Sequence, residues 1–433
     1  MRIEELTIFC LRIPFVEAFR HSSSSRSFAD SIVVRVRAED GTVGYGEGLA
    51  RPYVTGETVE SLVSHIANRL WPAVMRADYG DITPRKDPLT ALSSINKSLL
   101  EKKGDVIAWH GARTAIELAL IDCLLRSQGL SLGKILPAQC SSITYSGVIT
   151  AGSIEAALRH ARYFKLFGIK YLKLKIDGTN PVERVAAIRR AVGSEISLRV
   201  DANGAYDAPT AAKILSALQE FGIAAAEQPI KRSSPTELAH LRANSPIPIV
   251  VDESLVTIED ARALVNTRAC DYFNLRLSKC GGIFRTLQMA RLAAGAGLRI
   301  QFGSHVGETA ILSAAGRHLA AHLEHVDFVE GSYGSLLLAE DVSRDSVVFG
   351  HGGVAPLLRG PGLGIQVREE VLHKYARNII SLSSPVTRAF SGKEKCENVS
   401  DYQEGHQFAR ETRASQARTG RHLSRKCSTT LPG

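Results

Sequence analysis

The chain has 433 residues, 44% hydrophobic and 22% charged, the balance of a globular enzyme, and no run approaches the ~20 apolar residues of a membrane-spanning helix. Its formal charge of +9 is uneven: from Arg388 onward nine Lys/Arg face five Asp/Glu, so +4 lies in the tail and the remainder is mildly basic. With aromatic residues at 6% and no basic stripe among them, the composition speaks against nucleic-acid binding. Seven cysteines, an odd number without a CxxC pair, point to reduced thiols rather than a disulfide framework or a zinc site. Glu4 and Glu5 stand where a secretory signal would carry positive charge, so a cytoplasmic location is expected.

Residues 1–130 predict a separate α+β unit. Ile32–Arg37 reads as a strand, Glu39-Asp40-Gly41 as a hairpin turn, and Val43–Gly48 as the returning strand. Helical patterns follow over Thr58–Leu70 and Arg113–Gln128; the second places Ala115, Leu118, Ala119, Asp122 and Leu125 on one packing face. Phe19–Ser27 is polar and rich in serine. It predicts either a plain linker or a mobile lid whose Arg20, His21 or Arg26 meets an anionic substrate.

Residues 131–335 have a different texture. Ser146–Thr150 predicts a first short strand and Tyr171–Ile176 a second. Strand side chains alternate, so Lys173 and Lys175 share one face while Leu172, Leu174 and Ile176 share the other. By itself this could be an edge strand with solvated lysines. Downstream, short apolar runs end in or lead to Asp201, Glu227, Asp252, Lys279, His305 and Glu330; counted from Lys175 the gaps are 26, 26, 25, 27, 26 and 25. Helical stretches lie between, with start signals such as Asn180-Pro181 and a capping box at Ser234-Pro235-Thr236-Glu237. A strand-helix unit repeated at this period predicts a (β/α) barrel, and the C-terminal ends of barrel strands carry the chemistry. The seven ionisable residues therefore converge on one mouth.

Asp201, Glu227 and Asp252 end consecutive strands. Carboxylates brought that close repel one another, so they imply a cation, and all-oxygen donors suit Mg²⁺, or Mn²⁺, better than zinc. The structural alternative is salt-bridging to Lys173, Lys175 and Lys279 without a metal. Asn203 and Glu253 lie one or two residues beyond these acids and are expected to support them. Lys175 and Lys279 flank the trio, and a lysine becomes a useful base when nearby positive charge lowers its pKa; Lys173 would supply such a charge to Lys175.

The motifs Lys173-Leu174-Lys175, Asp201-Ala202-Asn203, Glu227-Gln228-Pro229, Asp252-Glu253-Ser254 and Lys279-Cys280-Gly281-Gly282 resemble those of the enolase superfamily, within it the muconate lactonizing enzyme subgroup. The resemblance spans residues 1 to about 370. It implies an α/β fold, a modified TIM barrel (β/α)7β with an N-terminal α+β capping domain whose loops near 15–30 and 50–56 shape specificity. Residues 336–380 would return to that domain. It also implies Mg²⁺-dependent removal of the proton α to a substrate carboxylate, muconate cycloisomerase-like, on a small carboxylate and in a homo-oligomer. Amino-acid or N-acylamino-acid racemisation or epimerisation, and dehydration, remain open, as does a non-catalytic barrel.

In the mandelate racemase subgroup a strand-seven histidine acts as base beside an aspartate ending strand six. Here strand six leads to Lys279, and Asp271 lies at its other end, so His305 is expected to be a substrate contact or a hydrogen-bonded wall. Glu330 occupies the acidic strand-eight position, able to act beyond the enolate or hold a substrate amine. Dipeptide epimerases resembling this family show Asp-x-Asp there; this chain has Glu330-Gly331-Ser332, which counts against a dipeptide. From Ser381 to the end hydrophobic periodicity fades, predicting a disordered basic tail. Removal of residues 386–433 should leave the melting temperature nearly unchanged in a thermal scan; a fall of many degrees would show that the tail packs on the fold.

Overall fold

The computed structural model describes residues 1–21, 24–99, 109–150, 152–176, 178 and 180–383, with the backbone alone for residues 17–21, 24 and 25. The expected tail from residue 384 onward lies outside the described residues. Five strands come first: β1 (Ile3–Leu11), β2 (Ile13–His21), β3 (Ser24–Ala29), β4 (Ser31–Ala38) and β5 (Val43–Leu49). After a helical stretch come β6 (Ser142–Thr144) and then β7 (Gly147–Ile149), β8 (Tyr171–Lys175), β9 (Ser197–Asp201), β10 (Ile223–Glu227), β11 (Ile249–Val251), β12 (Tyr272–Leu275), β13 (Arg299–Phe302) and β14 (Val326–Val329). The chain closes with β15 (Val354–Pro356) and β16 (Ala376–Ser383).

The N-terminal sheet runs β16-β1-β4-β5, all antiparallel. Ile32, Val33, Val34 and Val36 of β4 are fully buried, and the helix His110–Ser127 covers the sheet. That helix sits unusually close to β5 because Gly44, Gly46 and Gly48 present no side chain to it; a Cβ on Gly46 would stand 2.0 Å from the Ala115 carbonyl oxygen. The turn Glu39-Asp40-Gly41 joins β4 to β5, with Gly41 at φ 85°, where a left-handed residue is required.

Strands β7 to β14 form one eight-stranded parallel sheet in sequence order. The sheet closes on itself where Tyr145 bridges Val329 and the Ser146 N–H donates to the Val329 carbonyl at 2.8 Å. Helices separate successive strands, giving the (β/α)7β barrel. Continuous apolar runs such as Ile249-Val250-Val251 are buried on both faces, as parallel strands with helices outside must be.

Two barrel helices are capped from the N-terminal unit. Glu117 accepts from the Ile283 N–H at 2.5 Å and the Phe284 N–H at 3.3 Å, at the start of helix Ile283–Gly295. Glu47 accepts from the N–H groups of Thr309 (2.9 Å) and Leu312 (3.0 Å), at the start of helix Ala310–His322. Carboxylates at helix N-termini satisfy orphan donors and complement the dipole. These two lock the helices that follow strands six and seven.

Several expectations are corrected. Within Phe19–Ser27 the described residues 19–21 and 24–27 belong to the β2–β3 ribbon rather than to a linker, with Arg20 opposite Ser25 and His21 opposite Ser24. The helices after Asn180 and Ser234 begin as expected, but neither side chain caps; Pro181 and Pro235 hold the first turn, and Asn180 adopts a left-handed φ of 56°. Strand six ends at Leu275, so Lys279 rides on a one-turn helix, Leu277–Cys280. Residues 381–383 belong to β16, paired with β1 through Ser381–Thr7 to Ser383–Glu5, rather than to a tail. The polar flanks of Ile379-Ile380-Ser381-Leu382 hide this strand in the sequence.

Candidate active site

At the C-terminal end of the barrel the parallel register sets the site. Lys175 pairs with Asp201, and Asp201 with Glu227; Glu227 pairs with Val250, two residues before Asp252. Three carboxylates thus stand in a row on adjacent strands, all buried. Two lysines from β8 meet them: Lys175 Nζ donates to Asp201 Oδ2 at 2.6 Å, and Lys173 Nζ to Glu227 Oε2 at 3.1 Å and Glu330 Oε2 at 2.6 Å. From the other side Lys279 Nζ donates to Asp252 Oδ1 at 2.9 Å and to the carbonyls of Asp252 (2.7 Å) and Asn274 (2.8 Å). Its three N–H donors are thereby used, so presenting a proton acceptor to a substrate requires release of one of these three bonds.

The supporting residues are where the spacing put them. Asn203 accepts from Lys175 Nζ, donates its backbone N–H to Asp201 Oδ1 at 2.9 Å, and donates its amide to Glu253 Oε1 at 3.1 Å. The other oxygen of Glu253 is buried and has no hydrogen-bond partner among the described residues. Burial, then the charges of Asp252 and Asp201, push the Glu253 carboxyl up to about 7. Asp201 is also raised, by burial and by Glu227. Burial works against Glu227 as well, but Lys173, Arg276 and Lys175 outweigh it and hold that carboxyl well below the usual range. Burial opposes the Lys173 charge too; Glu227, Glu330 and Asp201 overcome it and raise its pKa. Lys173 is thus held as an ammonium among three acids, Asp201, Glu227 and Glu330.

The geometry brings in residues that spacing alone did not. Arg276 Nη2 bridges Glu227 Oε1 at 3.1 Å and Asp252 Oδ2. Asn274 Nδ2 and Gln301 Nε2 donate to Glu227 at 2.8 and 2.7 Å. Arg199, fully buried, donates to Glu330 Oε1 at 3.2 Å and lies over the Phe328 ring at 4.2 Å. Both oxygens of Glu330 are thus engaged by cations, Oε2 by Lys173 and Oε1 by Arg199. The signal in sequence was the two-residue alternation inside the strands: Arg199 precedes Asp201 and Asn274 precedes Arg276 by one strand repeat.

Helix His110–Ser127 holds the Lys279 turn. The His110 ring Nδ1 lies 2.5 Å from the Lys279 carbonyl oxygen, Arg113 Nε donates to the Gly281 carbonyl at 3.0 Å, and Thr114 Oγ1 to the Leu277 carbonyl at 3.2 Å. With Glu117 these residues occupy one helical face at spacing i, i+3, i+4, i+7. Gly282, at φ 100°, is required twice over, because a Cβ there would stand 1.8 Å from Glu117 Oε2. Glu117→Leu would orphan two buried N–H groups, and it should lower unfolding stability by ~2 kcal/mol in denaturant titration. An unchanged midpoint and slope would show that the cap carries no energy.

A cavity of about 740 Å³ opens on this cluster, and its lining includes Lys173, Lys175, Asn203, Glu253, Arg276, His305 and Glu330. His305 faces it, and among the described residues neither ring nitrogen has a hydrogen-bond partner. Burial, then Arg276, Arg51 and Lys279, hold its pKa well below the ordinary value, leaving it neutral. Arg20 and His21 lie on β2, but their side chains fall outside the described residues.

The carboxylates suit Mg²⁺ by chemistry and placement: oxygen donors only, on neighbouring strands, with an orphaned Glu253 oxygen at their edge. As placed, the chain's own cations Arg276, Lys173, Lys175 and Lys279 occupy them, and among the described residues no three Asp, Glu, His or Cys side chains form a ready cage. No helix of the described residues is long and apolar enough to cross a membrane.

The chain belongs to the mandelate racemase/muconate lactonizing enzyme family of the enolase superfamily. The family's N-terminal domain model matches residues 3–136, and the enolase C-terminal domain-like model matches residues 155–371. It is similar to N-succinyl-L-Arg/Lys racemase of Bacillus cereus, 29% identical over 384 residues covering 86% of this chain and 98% of that one. It is 30% identical to muconate cycloisomerase 1 of Pseudomonas putida over 357 residues, 80% of this chain and 90% of that one. A dipeptide epimerase from Cytophaga hutchinsonii, solved with Mg and D-Ala-L-Val, superposes with a TM-score of 0.77 at 25% identity, covering 88% of this chain and 100% of that one. The chain is accordingly an enzyme of the superfamily's isomerase or lyase type.

Proposed function

We propose that this enzyme isomerises a small carboxylate by moving the proton α to the carboxyl group, with Lys175 and Lys279 as the proton-transferring groups. The observation that carries the reading is the buried row Asp201, Glu227 and Asp252 at the barrel mouth, flanked by one lysine on each side and lying beside a cavity that Lys175, Asn203, Glu253 and Arg276 line. Mg²⁺ bound by the three acids would neutralise charge on the substrate carboxyl as the α-proton leaves, which makes that proton acidic enough to move. A Lys base beside Mg²⁺ is a known arrangement in enolase-superfamily sites, and the residues of this chain offer that combination. Lys173, held as a cation by Glu227 and Glu330, adds positive potential beside Lys175. Asn203 fixes the Lys175 ammonium and ties it to Glu253.

Because the lysines stand on opposite sides of the acids, racemisation or epimerisation is the form the arrangement favours: one lysine removes the proton and the other returns it to the opposite face. Cycloisomerisation, the reaction named for the Pseudomonas relative, needs only one of them. The two differ in a single assay. A racemase converts either pure enantiomer into the mixture while taking up solvent deuterium; a cycloisomerase leaves configuration at the α-carbon unscrambled. A barrel that only binds would do neither and would show weak Mg²⁺ binding in calorimetry. The engagement of Glu330 by Lys173 and Arg199 supports a substrate without a free amine at that point, such as an N-acylated amino acid.

A further inference from the structure

The end of β8 carries Lys175, and strand pairing holds it on one side only. Toward β9 the register continues to Lys175–Asp201, and the Ile176 N–H donates to the Asp201 carbonyl at 2.9 Å. Toward β7 the ladder stops at Ile149–Leu174, one residue short of Lys175. A side chain fills that gap. Arg184, near the start of helix Pro181–Val192 and only 7% exposed, donates from Nε to the Lys175 carbonyl at 3.0 Å. Its Nη1 donates to the Gly152 carbonyl at 2.7 Å and its Nη2 to the Thr150 carbonyl at 2.6 Å, both just past the end of β7. A guanidinium is planar and its donors are fixed relative to one another, so three carbonyls bound to one fork are fixed relative to one another too.

The far end of the Lys175 side chain is held by Asp201 Oδ2 at 2.6 Å and by Asn203. Arg184 holds the near end. Lys279 is served in a parallel way, with its carbonyl oxygen 2.5 Å from His110 Nδ1 on another helix. We propose that Arg184 is a positioning residue for Lys175: its fork sets where the Lys175 main chain stands, and so the distance and face at which Nζ meets the α-carbon. The inference rests on the proton-transfer reading, which makes Lys175 a proton-transferring group. Arg184 lies behind the strand ends and acts on the substrate only through Lys175.

The test is α-deuterium exchange in D₂O by the full chain with MgCl₂, measured on the separated enantiomers of N-acetyl and N-succinyl amino acids. Arg184→Lys keeps the charge and loses the planar fork; Arg184→Met removes both, and either variant that folds suffices. The expected result is a ~10–100-fold fall in kcat for the enantiomer that Lys175→Ala loses, the scale of a misplacement of about 1 Å, with KM little changed and the other enantiomer spared. Added to Lys175→Ala, the Arg184 substitution should cause no further loss, because it acts through a group already removed. A purely structural role would slow both enantiomers alike or deepen the loss in the Lys175→Ala background; either result overturns the proposal. Hydrogen exchange gives a second reading: the amides of β8 and of Ile176 should exchange ~10-fold faster in the Arg184 variants while those of Leu277–Cys280 do not change. Unchanged protection at the end of β8 also overturns it. If the unsubstituted enzyme exchanges none of these probes, or Lys175→Ala does not discriminate between enantiomers, the proton-transfer reading fails, and the amide measurement alone decides whether Arg184 holds Lys175.

Discussion

Lys175→Ala is expected to remove α-deuterium exchange for one enantiomer of the substrate by ~10²–10⁴-fold, the usual scale of general acid–base catalysis, and largely to spare the other. Lys279→Ala should show the reverse. The expectation follows from placement: Lys175 reaches the acids from β8 beside Asp201, and Lys279 from the turn after β12 beside Asp252. Residual exchange on the untouched face should persist because Lys173 and the metal end still polarise the carboxyl. Lys279 has the more demanding task, since its ammonium is bonded to Asp252 Oδ1 and two carbonyls. Loss of both enantiomers in both variants, with Mg²⁺ binding intact, would reject transfer on two faces and make His305 the next base to test.

Asp252→Asn should reduce Mg²⁺ affinity by more than ~100-fold, beyond the range typical of residues that merely stand behind ligands, and abolish turnover. The side chain is fully buried and keeps its shape in the variant, and Gln228 Oε1 still accepts the backbone N–H at 2.9 Å, so the strand end remains anchored. What is lost is one negative charge between Lys279 and Arg276. The fold should survive because Arg276 keeps Glu227. Undiminished Mg²⁺ affinity in calorimetry would remove Asp252 from the ligands.

Legibility in the sequence depends on chemistry carried by residues near one another along the chain. The barrel strands are readable because buried parallel strands are apolar runs, and each leads to an ionisable residue at nearly equal intervals. Lys173, Lys175, Asp201, Glu227 and Asp252 stand out for that reason; the structure brings the first four within bonding distance of one another and Asp252 within bonding distance of Lys279. Leu277-Ser278-Lys279-Cys280 is harder: a single helical turn is too short to show a period, so it reads as the end of a strand. The β2–β3 ribbon is hidden by its serines. Glu117 and Glu47 are out of reach, because their partners Ile283 and Thr309 lie 166 and 262 residues away. Arg276 and Arg199 are visible only in retrospect, because the acids they serve, Glu227 and Asp252 for the first and Glu330 for the second, lie at the ends of other strands.

The most direct measurement of the central claim is α-deuterium uptake from D₂O, read by mass spectrometry, when the enzyme with Mg²⁺ is incubated with a library of carboxylates and N-acylamino acids. Exchange reports proton removal even where no product is known. The expected result is uptake of one deuterium at the α-carbon of at least one carboxylate in the library, dependent on Mg²⁺ and lost in the Lys175→Ala, Lys279→Ala double variant. Uptake that persists in the double variant, or the absence of uptake across the library from a protein that binds Mg²⁺, would contradict it.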